Sequence, residues 1–187
     1  MEKGKIIVLN GVSSAGKSTL ARTLQNRLSE PYYILANDTF CDMSPDKFIE
    51  SDAHETYSRA LIGMYHTIKT FSEIGINVIV DDVFLKENNP PNRLEECLKL
   101  IHEYSVLFVH VTCPLEEQRR REKERRDGRS IGQGESQLAI LDPQDTYDIT
   151  VDTYNNSLDE CADKIIGVLG YPDKFTAFKI LWSQRIV

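Results

Sequence analysis

The sequence is short of the features that mark membrane proteins and nucleic-acid-binding proteins. None of its apolar runs approaches the length of a membrane span, and residues 1–5 lead into the first apolar run without a signal-peptide core. Acidic residues outnumber basic ones, giving a formal net charge of −7, which argues against a general binder of nucleic acid or of anionic membranes. We therefore expect a cytoplasmic protein with neither kind of partner.

Cysteine and histidine are also scarce. The four cysteines include no Cys-x-x-Cys pair, and the four histidines share no ligand spacing with one another or with the cysteines. Neither residue type therefore predicts a metal or redox site. Three of the cysteines lie in apolar or helical segments, so we interpret them as small buried side chains of a reducing compartment. The cysteines are Cys41, Cys97, Cys113 and Cys161.

What the 187 residues do contain is an alternation of short apolar runs with longer helical patterns. This alternation predicts an α/β fold, a three-layer sandwich with a five-stranded, mainly parallel sheet and helices on both faces. The predicted strands are Lys5–Leu9, Tyr32–Ala36, Asn77–Val80, Val106–Val111 and Tyr147–Val151. The predicted helices are Lys17–Ser29, Glu55–Ile74, Asn92–Glu103, Leu115–Arg126 and Leu158–Leu169.

We expect one domain over residues 1–170 and a helical extension of the same domain over residues 171–187. In the extension, large apolar side chains recur every three or four positions, as on one face of a helix. This helix either packs on the body of the domain or forms a subunit contact in a homo-oligomer. The side chains are Phe175, Phe178, Leu181, Trp182 and Ile186.

The most informative segment is the glycine loop, residues 11–18, which reads Gly-Val-Ser-Ser-Ala-Gly-Lys-Ser. Two glycines separated by four residues and followed by Lys and Ser form a phosphate-binding pattern. The glycines let successive backbone N–H groups ring an anionic oxygen, Lys17 brings a positive charge to the terminal phosphates, and Ser18 is placed to ligate Mg²⁺. The predicted nucleotide-binding residues are Gly11, Ser13, Ser14, Ala15, Gly16, Lys17, Ser18 and Thr19.

The surroundings of the glycine loop fit this interpretation. An apolar run ends at Asn10, and after the loop Leu20, Leu24 and Leu28 form a stripe that one face of a helix would bury. A strand, a glycine loop and a helix in this order are the context that a phosphate loop requires, and the positive end of the helix points at the phosphates.

Acidic residues follow several of the predicted strands. The carboxyl ends of parallel strands meet at one edge of a sheet, so Asp38, Asp81, Asp82 and Asp152 should lie near the phosphates. Asp81 is our candidate for the Mg²⁺-side carboxylate. Asp82 could serve the metal instead, or could cap the next segment.

Asp38 is the candidate for the acceptor side. One strand away from the glycine loop, its carboxylate could accept a hydrogen bond from a substrate hydroxyl and take its proton as the phosphoryl group arrives. The alternative is a turn or N-cap aspartate, because Asn37-Asp38-Thr39 is also good turn chemistry.

The segment from residue 114 to residue 130 is the one strongly basic part of the chain, with seven Lys/Arg against five Asp/Glu. We interpret residues 115–137 as a short Arg-rich lid whose guanidinium groups neutralise a transferring phosphoryl group. Arg125, Arg126 and Arg129 are favoured over Arg119 and Arg120, which can pair with glutamates along a helix. Residues 127–134 are expected to form a mobile turn.

Over about Lys5–Leu169 the sequence resembles the chloramphenicol phosphotransferase family of small P-loop kinases. In that family the γ-phosphate of ATP passes to a hydroxyl of chloramphenicol, and the aspartate that matches Asp38 is the base for that hydroxyl. Residues 41–58 depart from the family pattern. The resemblance is carried by Ile7–Ser18, Asn37-Asp38, Val78–Leu85, Arg121-Glu122, Arg125–Arg129, Gly132, Gln137 and Tyr147–Thr153.

The resemblance and the glycine loop together predict that the three-layer sandwich is of the P-loop NTPase type and that residues 1–170 form a P-loop kinase domain. The predicted enzyme is a Mg²⁺-dependent O-phosphotransferase that uses ATP or GTP. Its acceptor is a hydroxyl group of a small molecule, with chloramphenicol or a related antibiotic as one candidate. A kinase of a nucleoside, a nucleotide or another metabolite is the second hypothesis. A nucleotide-binding regulatory module without an acceptor is the third.

Overall fold

A parallel sheet of five strands organises the chain. The computed structural model describes residues 2–86, 92–125, 131–143 and 145–185. The strands lie in the order β2–β3–β1–β4–β5, and each neighbouring pair is parallel. The α/β class predicted from the sequence is therefore confirmed. The strands are β1 (Ile6–Asn10), β2 (Tyr32–Ala36), β3 (Asn77–Asp82), β4 (Val106–Thr112) and β5 (Ile149–Asp152).

Helices cover both faces of this sheet. Helices α3, α4 and α8 pack on one face, and α1 and α7 pack on the other. Helix α2 follows β2 directly, and α5 and α6 form the described part of the Arg-rich lid. The helices are α1 (Lys17–Arg27), α2 (Asn37–Cys41), α3 (Asp46–Glu73), α4 (Arg93–Ile101), α5 (Leu115–Glu124), α6 (Gln133–Leu138), α7 (Leu158–Leu169) and α8 (Ala177–Arg185).

The strands are apolar on both sides because both faces of the sheet are buried. Along β1, Ile6 and Val8 point into the core beneath α3 and α4, whereas Ile7 and Leu9 point into the core beneath α1 and α7. This is the period of two that a strand imposes on its side chains. A strand buried on both faces therefore reads as a continuous apolar run, which is how the strands were recognised in the sequence.

The strand order places a crevice at the carboxyl end of β1. From β1 the chain moves to β2 and β3 on one side, and it then crosses to β4 and β5 on the other side. Loops that leave neighbouring strands in opposite directions open such a crevice, which is where ligands bind in open α/β sheets. The glycine loop occupies this position.

Two parts of the chain are more helical than predicted. Residues Asn37–Cys41 form α2, and α3 begins at Asp46 rather than Glu55. Helix α3 is broken at Asp52, whose side chain accepts a hydrogen bond from the Glu55 N–H at 3.0 Å and so starts the second segment. The break explains why the helical pattern in the sequence was clear only from Glu55 onward.

The mobile turn expected over residues 127–134 lies partly outside the described residues, which exclude 127–130, and its last two residues belong to a helix. Residues Gln133–Leu138 form α6, and Gly132 precedes it with φ of 88°. The Glu122 carboxylate accepts hydrogen bonds from the Gly132 and Gly134 N–H groups at 2.7 and 2.8 Å. This carboxylate satisfies N–H groups at the start of the helix, which have no partner within it, and so stabilises a conformation that the local glycine content does not favour.

The C-terminal helix α8 packs on the body of the domain, one of the two predicted arrangements. Phe178 and Leu181 are buried against the same core as α4 and β4, and the Trp182 ring stacks on His102 with centroids 4.6 Å apart. At the end of α8, Arg185 donates two hydrogen bonds to the Asp142 carboxylate at 3.0 and 3.2 Å. A subunit contact through this segment stays a prediction. Within the described residues no helix is both long and apolar enough to cross a bilayer.

We expect Phe178→Ala to destabilise the fold by about 3–5 kcal/mol, because it leaves a cavity between α8 and the sheet. Ile180→Ala on the same helix is the matched control. Ile180 is 43% exposed, so its truncation should change the free energy of unfolding by less than about 0.5 kcal/mol. Urea unfolding of both variants measures the difference, and equal effects would contradict the packing of α8 described here.

Candidate active site

The backbone of the glycine loop is confined by the strands beside it. A Cβ atom on Gly11 would lie 2.3 Å from the carbonyl oxygen of Val111 at the end of β4. Gly16 has φ of 91°, and Ser14 has φ of 62° although it carries a side chain. The structure therefore explains both glycines. Gly11 allows the close approach of the Val111 carbonyl, and Gly16 adopts a left-handed backbone conformation.

Lys17, Ser18 and Asp81 meet at the mouth of the loop. The Ser18 hydroxyl donates a 2.6 Å hydrogen bond to Asp81 Oδ2, and Lys17 Nζ lies 3.8 Å from Asp81 Oδ1. Lys17 Nζ also donates to the Val12 carbonyl at 3.1 Å, so the ammonium group folds back over the loop. Burial raises the pKa of the Asp81 carboxyl, and the Lys17 charge and the Ser18 hydrogen bond offset part of the rise.

Asp82 has a different set of partners. Its carboxylate accepts hydrogen bonds from the Asn37 amide at 2.6 Å, the Val83 N–H at 2.7 Å and the Tyr65 hydroxyl at 3.0 Å. The side chain is 1% exposed and faces away from Lys17 and Ser18. Asp82 therefore ties β3 to α2 and α3, while Asp81 faces the glycine loop.

Asp38 lies in the first turn of α2, directly after β2, and its side chain is exposed. Its charge acts on Asp81, raising the pKa of that carboxyl, so the two aspartates belong to one electrostatic neighbourhood. It also contributes, after burial and Asp82, to raising the pKa of the nearby Cys41 thiol to about 11. Asp38 thus lies at the carboxyl edge of the sheet, after β2, with β3 and Asp81 between it and the strand that leads into the glycine loop.

Asp152, the fourth acid on the predicted edge, is not part of this group. Its carboxylate accepts hydrogen bonds from the Tyr154 and Asn155 N–H groups and from the Asn155 amide, at 2.6 to 3.2 Å. These bonds lower the pKa of Asp152. Asp152 does end β5 at the predicted edge of the sheet, and its neighbour Thr153 contacts the glycine loop, but its own carboxylate closes the turn that follows the strand.

Two residues outside the glycine-loop motif hold the loop in place. The Thr153 hydroxyl donates to the Ala15 carbonyl at 2.7 Å, and Arg121 Nη1 donates to that hydroxyl at 3.0 Å and to the Ser14 carbonyl at 3.4 Å. Arg121 Nη2 donates to the Thr153 carbonyl at 3.0 Å. One guanidinium group therefore joins the lid helix, the glycine loop and the end of β5.

The lid also contacts Ser13. The Ser13 N–H donates to Gln137 Oε1 at 2.7 Å, and Arg125 Nη1 donates to the Ser13 hydroxyl at 3.2 Å. Arg125 is therefore at the loop, as the sequence analysis favoured. Arg126 and Arg129, the other two favoured lid arginines, lie outside the described residues.

The two arginines that the sequence analysis set aside lie on the exposed side of α5. Arg119 pairs with Glu135 at 2.7 Å, and Arg120 pairs with Glu117 and Glu124 at 2.7 Å. Both side chains are about half exposed, so these pairs are surface ion pairs that contribute little to stability. They do not contact the glycine loop.

Sequence reasoning missed the roles of Arg121, Thr153, Gln137 and Asn10. The Asn10 amide donates to the Asp142 carbonyl and the Tyr147 hydroxyl at 3.2 and 2.8 Å, and its oxygen accepts from the Phe84 N–H. It thereby joins three segments immediately before the glycine loop. No periodicity points to these four residues. Their place in the strings shared with the related family was the one signal that could have found them.

We expect Gly11→Ala to displace the glycine loop, because the added Cβ would overlap the Val111 carbonyl oxygen. The expected cost is about 1–3 kcal/mol in unfolding free energy, together with loss of nucleotide binding. Gly167→Ala is the control, since nothing lies within 4 Å of the added atom and the site is helical, so stability should rise by up to about 1 kcal/mol. Calorimetric titration with MgATP and urea unfolding measure both effects. Normal binding by Gly11→Ala would contradict the confinement of the loop.

The chain is similar in sequence to a family of phosphotransferases. A family model described as chloramphenicol phosphotransferase-like protein matches residues 4–169. A protein of Mycobacterium tuberculosis H37Rv named "Putative O-phosphotransferase" is 29% identical over an alignment of 190 positions. The alignment covers 88% of this chain and 82% of that protein.

Two solved structures share the fold. The APS kinase CysC of Mycobacterium tuberculosis, in complex with AMPPNP and APS, matches with a TM-score of 0.69 and 18% identity, covering 91% of this chain and 99% of that chain. A sugar kinase from Janibacter sp. HTCC2649 matches with a TM-score of 0.69 and 21% identity, covering 92% and 99%. At these identities the likeness shows the fold alone, that of the P-loop kinases. Because the family model spans most of the sequence, the chain belongs to the chloramphenicol phosphotransferase-like family.

Proposed function

We propose that the protein is an ATP- or GTP-dependent O-phosphotransferase that moves the γ-phosphate to a hydroxyl group of a small molecule. The observation that carries the proposal is the meeting of Lys17, Ser18 and Asp81 at the mouth of the glycine loop. A cation for the terminal phosphates and two oxygen ligands within 2.6 Å of each other form a donor set suited to a magnesium–triphosphate complex. Chloramphenicol or a related antibiotic is one candidate acceptor.

The triphosphate is held by the loop backbone and the start of α1. The N–H groups of residues 14 and 16–19 and the positive end of the helix favour an anion at this position. The Ser13 N–H already donates to Gln137 Oε1 and the Ala15 N–H to the Val12 carbonyl, so these two groups hold the loop itself. Ser18 and Asp81 would hold Mg²⁺ directly or through its water, and Mg²⁺, when bound, neutralises charge on the phosphates. In this structure the Lys17 side chain folds over Val12. It can move to the β- and γ-phosphates because it has four rotatable bonds.

Asp38 is the proposed base for the acceptor. It lies beside Asp81 on the β2 side of the loop, and its exposed carboxylate is accessible to a hydroxyl group. The carboxylate accepts a hydrogen bond from that hydroxyl, orients its oxygen toward the γ-phosphorus, and takes the proton as the new O–P bond forms and the bond to the β-phosphate oxygen breaks. Positioning supplies most of the catalysis in this chemistry, so a weak base is sufficient.

Lid arginines supply the remaining positive charge. Arg125 contacts the Ser13 hydroxyl, which brings its guanidinium group to the loop. We propose that Arg125, Arg126 and Arg129 neutralise the charge that develops on the transferring phosphoryl group. Arg121 has a positioning role. Its Nε donates to Glu117 on the same helix, and its Nη atoms donate to the Ser14 carbonyl and to the hydroxyl and carbonyl of Thr153.

The first test is a panel of hydroxyl acceptors monitored by ADP release, with MgATP and MgGTP compared as donors. Chloramphenicol, nucleosides, nucleotides, sugars and adenylyl sulfate form the panel. Turnover of any hydroxyl acceptor supports the proposal, and the active class identifies the acceptor. Tight nucleotide binding without transfer to any member would instead favour a nucleotide-binding module.

We expect Asp38→Asn to reduce phosphoryl transfer at least a hundredfold while MgATP binding stays within about twofold of wild type. The amide keeps the shape of the side chain and loses its capacity to take a proton. Asp42→Asn is the matched control, because Asp42 is also exposed and lies at the other end of α2. Single-turnover kinetics and calorimetry measure the two quantities. Wild-type transfer by Asp38→Asn would remove Asp38 from the mechanism.

A second pair of variants tests whether two neighbouring lid arginines have different roles. Arg121→Ala removes the hydrogen bonds to Ser14 and Thr153, so we expect MgATP affinity to fall about tenfold or more. Arg120→Ala removes surface ion pairs and should leave the affinity within about twofold of wild type. Calorimetric titration of the two variants decides the question, and equal affinities would show that Arg121 does not position the loop.

A further inference from the structure

The Asp82 carboxylate is buried at the end of β3, where it accepts three hydrogen bonds. The donors are the Asn37 amide at 2.6 Å, the Val83 N–H at 2.7 Å and the Tyr65 hydroxyl at 3.0 Å. Burying a charge is costly for folding, and well-packed apolar side chains in place of buried ionic groups are often equally stable or more so. The buried carboxylate is therefore better explained by the conformation that it fixes than by the stability that it adds.

The two side-chain donors to Asp82 are held in the state that donates. Burial, together with the Asp82 charge, raises the pKa of the Tyr65 hydroxyl well above its usual range, so this hydroxyl keeps its proton. The Asn37 amide is oriented from its other end, because its Oδ1 accepts a hydrogen bond from the Cys41 thiol at 3.4 Å. Burial raises the pKa of that thiol to about 11, so it is protonated near pH 7. The hydrogen bond from Asn37 to Asp82 therefore has a defined direction.

The hydrogen bond between Asn37 and Asp82 lies directly beside the proposed base. Asn37 is the first residue of α2, and Asp38 follows it. In the pairing of β2 with β3, Ala36 lies opposite Asp81, so the next residue along each strand brings Asn37 beside Asp82. The bond therefore joins the end of β3 to the residue that precedes Asp38.

Helix α2 depends on contacts of this kind. It has five residues, none of them fully buried, and no side chain caps its first turn. An isolated helix of this length is not stable in water. Phe40 and Cys41 pack partly against the core at the end of the helix, and the Asn37 amide holds its start. Asp38 lies between these contacts, and its carbonyl oxygen accepts a hydrogen bond from the Asp42 N–H at 2.8 Å.

We propose that Asn37 and Asp82 are positioning residues for the transfer to the acceptor. Through the hydrogen bond between them, the buried Asp82 carboxylate fixes the first turn of α2 and so the direction from which Asp38 reaches the acceptor hydroxyl. This inference rests on the proposed function, in which Asp38 is the base. A displacement of about 1 Å at a reacting group lowers a rate by up to about a hundredfold, so the position of this turn matters for catalysis. In this assignment Asp81 serves the nucleotide, and Asp82 serves the acceptor through Asn37.

A double-mutant cycle with Asp38→Asn tests this role. Asn37→Leu keeps the approximate shape of the side chain and removes the donor, so we expect phosphoryl transfer to fall about ten- to a hundredfold while MgATP affinity stays within about twofold of wild type. In the Asp38→Asn background the same substitution should change transfer less than about threefold, because the base that it positions is already lost. Single-turnover kinetics measure the four rates. A loss by the same factor in both backgrounds, or wild-type transfer by Asn37→Leu, would overturn the proposal.

Two substitutions at Asp82 test the other partner of the bond. Asp82→Ala removes the acceptor, whereas Asp82→Asn keeps an oxygen that accepts from the Asn37 amide, so Asp82→Asn should retain about tenfold more transfer than Asp82→Ala. Equal losses would overturn the role of the hydrogen bond, and if Asp82→Ala fails to fold, the cycle at Asn37 decides. Thr39→Val, at an exposed position of α2, is the matched control for Asn37→Leu and should leave transfer within about twofold of wild type.

Hydrogen exchange of the backbone amides tests the anchoring of α2 without any acceptor. In Asn37→Leu we expect the Asp42 N–H, which is bonded to the Asp38 carbonyl, to exchange about tenfold faster than in wild type, while amides of β3 keep their wild-type rates. Thr39→Val should leave both unchanged. Wild-type exchange at Asp42 in Asn37→Leu would overturn the proposal. If the acceptor panel shows no transfer, the proposed function fails, whereas faster exchange at Asp42 still supports the anchoring of α2 by Asp82.

Discussion

The hydrogen bonds that hold residues 13–15 of the glycine loop connect the nucleotide site to the rest of the molecule. The Ser13 N–H is bound by Gln137, and the Ser14 and Ala15 carbonyls by Arg121 and Thr153. These partners come from α6, α5 and the end of β5. Beneath the loop, Gly11 lies against the Val111 carbonyl with no room for a side chain. The loop conformation is therefore set by the whole carboxyl edge of the sheet and by the lid.

The two adjacent aspartates of β3 point to opposite faces of the sheet and therefore have different partners. Successive side chains point to opposite sides of a sheet, so Asp81 and Asp82 cannot share an environment. Asp81 meets Lys17 and Ser18, whereas Asp82 is enclosed by Asn37, Tyr65 and the Val83 N–H. A carboxylate with three internal donors has little capacity left for another ligand, which supports the proposal that Asp81 and not Asp82 is the metal-side acid.

The lid is both a source of charge and a structural part of the site. The Arg121 guanidinium group donates hydrogen bonds to Ser14 and Thr153. Glu122 stabilises the start of α6 by accepting hydrogen bonds from two N–H groups. Arg125 is the described arginine whose side chain reaches the Ser13 hydroxyl.

The sequence by itself determined the layered α/β fold, the glycine loop and the strand-end position of Asp38 and Asp81, because apolar periodicity and glycine spacing are local signals. It left the choice between Asp81 and Asp82 open, because their partners Ser18, Asn37 and Tyr65 lie on other elements. The helical form of residues 133–138 depends on Glu122. Only the tertiary structure decided the contacts of Arg121 and Gln137, because their partners also lie on other elements, and hydrogen bonds between distant segments leave no periodic trace in a sequence.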